Sequence, residues 1–136
     1  MDIVKIKSRA HLTGGALFVG LAVALGAIGA HALKQHLDPK ALETFNTGVR
    51  YQLYHGFGLL ILGVMGAIRK RPYRAVGLLF TAGILLFSLN CYIYAITGIK
   101  FFVMLVPLGG ISFIAGWLWL TWNIHSETSR DLDHHP

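Results

Sequence analysis

Four apolar runs without a single Asp, Glu, Lys or Arg, at residues 12–33, 51–68, 75–97 and 101–122, take up most of a chain of 136 residues. A helix rising 1.5 Å per residue needs about 20 apolar residues to cross about 30 Å of hydrocarbon, and each run is of that order. Hydrocarbon offers no partner to a backbone N–H or C=O, so runs of this length are satisfied internally only as helices. A soluble bundle would need a polar face on each helix, and these runs have none. The chain is therefore expected to be an all-α integral membrane protein of four transmembrane helices, one domain throughout, with a polar tail over residues 123–136.

Composition supports this. Hydrophobic residues make up 54% and charged residues 13% of the chain, against about 25% charged in ordinary soluble proteins. The net charge of +6 raises the question of nucleic acid, but the basic residues sit in short gaps beside apolar runs and form no stripe. Membrane lipids are the expected partner. Cys91 is the only cysteine, so no disulfide forms within the chain and no redox compartment follows.

Basic residues alternate between the gaps. Lys5, Lys7, Arg9, Arg69, Lys70, Arg71, Arg74 and Arg130 fall on one side of the membrane, and Lys34, Lys40, Arg50 and Lys100 on the other. Eight against four places both termini in the cytoplasm, with the cell membrane as location. The basic start and Ala30-His31-Ala32 also resemble a secretory leader with its cleavage site. The first run is longer than a usual leader core and carries small residues at helical spacing, which favours a retained helix.

Those small residues predict packing. Ala22, Gly26 and Ala30 recur every four positions in the first helix, beside a second stripe of Gly20, Ala24, Ala27 and His31. Gly109, Ser112 and Gly116 do the same in the fourth. Small side chains let backbones approach where lipid provides no hydrophobic drive, and they also offer faces for a second copy or another membrane protein. Pro107 cannot donate to Val103 and is expected to bend the fourth helix. Between helices one and two, Asp38-Pro39 marks a helix start, and Leu42, Phe45 and Val49 predict a short amphipathic helix or a lead-in to the second span, jointed at Gly48.

Several strings carry a family resemblance: Gly26-Ala27-Ile28-Gly29-Ala30-His31-Ala32-Leu33, Thr47-Gly48-Val49-Arg50-Tyr51-Gln52-Leu53-Tyr54-His55, Leu86-Phe87-Ser88, and Val106-Pro107-Leu108-Gly109-Gly110-Ile111-Ser112-Phe113-Ile114-Ala115-Gly116-Trp117. Together, in this order, they resemble the YgdD/YwdK-like family of bacterial inner-membrane proteins, of unknown function and related to the eukaryotic transmembrane protein 256. The resemblance implies a multi-pass cell-membrane protein and brings no activity. Where the YgdD type has a Gly-Ser pair after Leu-Phe-Ser, this chain has Leu89-Asn90, so the family pattern assigns Asn90 no role.

Polar groups at membrane depth are the candidates for chemistry. With both termini inside, His31, Arg50, Tyr51, Gln52, His55, Asn90, Tyr94 and Lys100 are expected to gather at the outer end of the bundle, His31 facing inward. Three uses suggest themselves: an anion or lipid-headgroup site on Arg50 and Lys100, proton handling by His31 and His55, and metal or haem ligation by the same histidines. The last is disfavoured because no carboxylate or thiolate completes a ligand set. His134 and His135 read as tail, and no cofactor is expected. The plainer alternative is that these groups satisfy one another, with Tyr51, Tyr54, Tyr92, Tyr94, Trp117, Trp119 and Trp122 as interfacial anchors. No nucleotide loop, nucleophile elbow or zinc-protease motif is present. The expectation is a non-enzymatic structural, partner-binding or lipid-binding component, with a small oligomeric proton or solute transporter using His31 and His55 as the alternative.

Overall fold

A computed structural model describes residues 3–133, with side chains described through residue 126. Helix α1 is Ile3–His31, followed by a 3-10 turn at Leu33–Gln35. Helix α2 is Pro39–Arg69. Helix α3, Arg74–Gly83, passes through a π-helical turn at Ile84–Ser88 into α4, Leu89–Thr97, and α5 is Lys100–Asp133. Four helical stretches are long and apolar enough to cross a membrane: Ile3–Gln35, Pro39–Arg69, Arg74–Thr97 and Lys100–Ser126. The third is thus one helix with a π turn at its middle. The expected architecture, four transmembrane helices and no strands among the described residues, is the one observed. Below, the end with the connection between α2 and α3 is the terminal end, and the opposite one the loop end.

Helix boundaries follow local chemistry. Asp38 caps α2, its Oδ1 accepting from the backbone N–H of Lys40 at 2.9 Å and of Ala41 at 3.0 Å, with Pro39 at the first helical position. From there α2 runs without interruption to Arg69, so the separate amphipathic helix and the joint at Gly48 are not found; the lead-in and the second span are one helix. Gly48 is a packing position instead: a Cβ there would lie 2.7 Å from the Tyr92 ring and 3.0 Å from the carbonyl of Ser88. Gly98, at φ +69°, ends α4 by donating its N–H to the carbonyl of Tyr94. Helix α5 continues past the fourth apolar run to Asp133, into the stretch expected as a polar tail; His134 and His135 lie outside the described residues.

The main seam joins α1 to α2, antiparallel. Buried positions of α1 are Ser8, Gly15, Ala22 and Gly29, seven apart. Facing them, α2 buries Phe45, Val49, Gln52, Gly56, Leu59, Gly63 and Gly66 at alternating steps of four and three. This is the heptad pattern of left-handed helix pairs, with the inner position of α1 reduced to small residues. Contact is close to backbone against backbone: a Cβ on Gly15 would lie 2.8 Å from both the Gly56 carbonyl oxygen and the Leu60 nitrogen. The four-residue stripes predicted for α1 are corrected by this seam. Ala22 is in it and Gly26 borders Val49, but Ala30 is exposed and Gly20 has no neighbour within 4 Å of where its Cβ would be. His31 is exposed too, because two residues past Gly29 turn the chain about 200° away from the seam.

Helix α5 packs on the third span. A Cβ on Gly109 would meet the backbone of Phe87, one on Gly116 the Phe80 ring at 2.7 Å, and Ser112 donates its hydroxyl to the carbonyl of Leu79 at 2.7 Å. All three were expected to pack. Pro107 lies exposed within the continuous α5. Of the apolar windows of the four spans, 44% and 50% of residues are buried in the second and third, against 11% and 17% in the first and fourth. The second and third spans are therefore the inner pair, flanked by α1 and α5.

The seam yields a contrast in stability. Gly15→Val should lower the detergent-solubilised protein's stability by about 2 kcal/mol or more through overpacking, whereas Gly20→Val should leave it nearly unchanged. Thermal unfolding of the two variants beside the unsubstituted chain checks this, and equal losses would reject the seven-residue seam.

Candidate functional site

On the face of α2 turned away from α1, Tyr51 and His55 stand one turn apart. Neighbouring helices are brought to them by glycines: Gly58 and Gly116 admit the Phe80 ring, and Gly83 admits Phe113. His55 is 4% exposed. Its ring stacks on Phe113 with centroids 3.4 Å apart and planes 9° from parallel, and Phe80 meets it edge-on at 5.3 Å. Both ring nitrogens are engaged. Nδ1 lies 2.7 Å from the carbonyl oxygen of Tyr51, and Nε2 lies 3.1 Å from the indole nitrogen of Trp117. A carbonyl only accepts and an indole N–H only donates, so the hydrogen sits on Nδ1 and Nε2 accepts. The ring is a neutral, doubly satisfied imidazole. A cationic ring would turn a second N–H against that of Trp117.

Tyr51 continues the stack, 4.5 Å from Phe87 and 6.0 Å from Phe113. Together with Tyr54, Gly110, Ile114 and Trp117 these rings line a groove of about 500 Å³ between α2 and α5. That volume is in the range of small-molecule sites. Tyr51, Tyr54 and Trp117 are 38%, 57% and 41% exposed, so the groove opens sideways. His55 is eleven residues from Gly66 at the terminal end of α2, about 16 Å along the axis. The opening thus lies within the apolar span of α2.

The other candidate residues are distributed rather than gathered. Gln52, 4% exposed, donates to the carbonyl of Phe18 at 2.8 Å and accepts from the Tyr92 hydroxyl at 2.9 Å, tying α1, α2 and α4 together. Asn90 donates to the carbonyls of Leu85 and Leu86 at 3.1 and 2.9 Å, both on the π turn. Arg50 is exposed and donates to the Thr47 hydroxyl at 2.9 Å. Tyr94 borders a small cavity with Asp38, Lys40 and Thr44. Lys100, like His31, is exposed. The antiparallel pairing sets His31 near Thr44, eleven residues along α2 from His55, so the two histidines do not share a pocket.

Sequence reasoning brought Tyr51 and His55 together but missed Phe80, Phe87 and Phe113, and it took Trp117 for an anchor. Phe113 and Trp117 are spaced i, i+4 and Phe80 and Phe87 i, i+7. The aromatic faces were therefore present as a pattern, hidden among other apolar residues.

The match to known proteins is clear. Residues 25–110 fit the model of a family described as a protein of unknown function, DUF423. The UPF0382 membrane protein of Staphylococcus saprophyticus is 42% identical over 106 residues, covering 78% of this chain and 88% of its own length. That of Staphylococcus haemolyticus is 41% identical over 106 residues, covering 78% and 87%. The UPF0382 membrane protein YwdK of Bacillus subtilis is 39% identical over 106 residues, covering 76% and 86%. No solved structure matches the chain.

Two substitutions test the hydrogen bonds around this site. Asn90→Leu removes the side-chain donor to the π-turn carbonyls and should cost about 1 kcal/mol. Trp117→Phe leaves Nε2 of His55 without a donor at a similar cost, and adding His55→Phe to it should restore much of the loss, because both polar partners are then gone. Unfolding measurements on the single and double variants decide it; additive losses would mean that the two side chains are not coupled.

Proposed function

The chain belongs to the DUF423 family, whose members matched above are named UPF0382 membrane proteins, and from that premise we propose that it is a non-catalytic, lipid-binding component of the cell membrane. Its ligand is a lipid-dissolved molecule, an acyl or isoprenoid chain held in the groove between α2 and α5. The observation that carries the reading is the sideways opening of an aromatic-walled groove of about 500 Å³ at membrane depth. Rings stacked edge to face and face to face form rigid walls that lose little freedom when a chain settles against them. His55 contributes shape and a polar edge, while Tyr51 and Tyr54 place hydroxyl-bearing rings at the rim.

The competing reading, a proton or solute pathway through His31 and His55, has less support. The two histidines are far apart along the helices, and His55 has both nitrogens engaged. Both termini are assigned to the cytoplasm on the distribution of Lys and Arg, eight against four.

Gly110 gives the test. A Cβ there would stand 4.0 Å from the Phe87 ring, so a larger side chain has room to grow into the groove. Lipids retained by the detergent-purified protein, read by native mass spectrometry, should fall sharply in Gly110→Leu while its unfolding midpoint stays near that of the parent. Undiminished retention would reject the groove as the site. In liposomes carrying the protein, proton flux should equal that of empty liposomes; flux abolished by His55→Phe would instead establish the transport reading.

A further inference from the structure

A second site, independent of the groove, lies at the terminal end. Two cavities flank the first turn of α3. One, of about 220 Å³, separates this turn from α5 and is lined among others by Arg71, Arg74, Ala75, Val76, Trp119 and Asn123. The other, of about 260 Å³, lies between α1 and α3 and includes Lys7, His11 and Arg74. Arg74 is common to both.

We propose that the cavity between α3 and α5 seats the phosphate of an anionic phospholipid from the leaflet at this end. Charge comes first. Among the described side chains, the terminal end carries seven of the eleven Lys and Arg residues. Arg74 lines the cavity itself, beside Arg71, and a guanidinium matches phosphate oxygens with paired N–H donors. The backbone adds to this: Ala75 and Val76 belong to the opening turn of α3, and Tyr73 at the cap position gives that turn no side-chain acceptor. The cavity volume equals several water molecules, enough for a phosphate and too small for a lipid chain.

Depth selects lipid over a soluble anion. Arg71 lies in the connection just past Arg69, where α2 ends, and Arg74 opens α3, so both stand where a bilayer keeps its headgroups. Trp119, which lines the cavity, is 54% exposed, and Trp122 further along α5 is 71% exposed. An indole at the interface and an apolar helix surface below it give the lipid's glycerol and chains a place to lie. A free phosphate would use the arginines alone.

Titrating the detergent-purified full chain with dioleoyl-phosphatidylglycerol, dioleoyl-phosphatidylcholine or inorganic phosphate, and following the unfolding midpoint, tests the proposal. Phosphatidylglycerol should raise the midpoint, and the other two should not. Arg74→Ala should need about five-fold more of it for half the effect, the worth of one basic side chain at an anionic surface. Lys34→Ala removes the same charge from the loop end and should bind like the parent. Asn123→Phe fills the cavity without changing charge and should also lose the effect, which keeps the test valid if Arg74→Ala fails to fold. Equal weakening by Arg74→Ala and Lys34→Ala, unchanged binding in Asn123→Phe, or an equal rise with inorganic phosphate would each overturn the proposal. The first two outcomes would mean diffuse attraction, and the last a site for small anions.

Discussion

Two helices in lipid gain nothing from hiding apolar side chains from each other, because the lipid is as apolar as they are. What holds α1 to α2 is therefore close packing, and the seam of Ser8, Gly15, Ala22 and Gly29 against Gly56, Gly63 and Gly66 is how this chain achieves it. With backbones almost touching, dispersion contacts run along the whole pair. The rest of the structure is built outward from it. Gln52 locks the seam laterally by reaching from the Phe18 carbonyl to the Tyr92 hydroxyl, and the opposite face of α2 is left free to receive the third span and the aromatic rings of α5.

The same device is used with a different partner elsewhere. Where Gly15 of α1 meets the backbone of α2 at Gly56, several glycines elsewhere meet rings: Gly58 and Gly116 both admit Phe80, Gly83 admits Phe113, and Gly48 admits Tyr92. A ring set into a glycine notch cannot slide along the helix, so each such pair fixes register. The π turn at Ile84–Ser88 belongs to this scheme. One extra residue in the turn shifts the side chains that follow around the axis, and Asn90 donates to two of its carbonyls. Asn90 therefore has a local structural use even though the family pattern assigned it none.

These features were unequally legible in the sequence. The four spans and the start of α2 at Asp38-Pro39 could be read directly, since hydrocarbon length and capping chemistry act through neighbouring residues. The seam was misread because a four-residue step and a seven-residue step are both present in α1, and only the partner helix decides between them. Gly20 and Gly15 look alike in sequence; Gly15 faces Gly56 and Gly20 faces outward. The polar residues misled in a similar way. Ranking them by position alone drew His31, Arg50, His55, Asn90 and Lys100 into one cluster, whereas their hydrogen bonds divide them among separate local uses. The groove was invisible for another reason: its walls are aromatic, and in an apolar sequence aromatic residues do not stand out.

His55 is a polar residue of a span whose hydrogen bonds are met within the protein. A buried imidazole needs a donor for one nitrogen and an acceptor for the other, or it costs stability. Here the acceptor is the Tyr51 carbonyl one turn back on the same helix, and the donor comes from Trp117 across the groove. The second bond bridges two helices whose approach is otherwise made by rings. Both of its partners line the groove. Replacing the pair by apolar side chains could preserve stability and still change the width of that opening. A requirement for His55 in ligand retention would then arise from geometry, without any proton changing place.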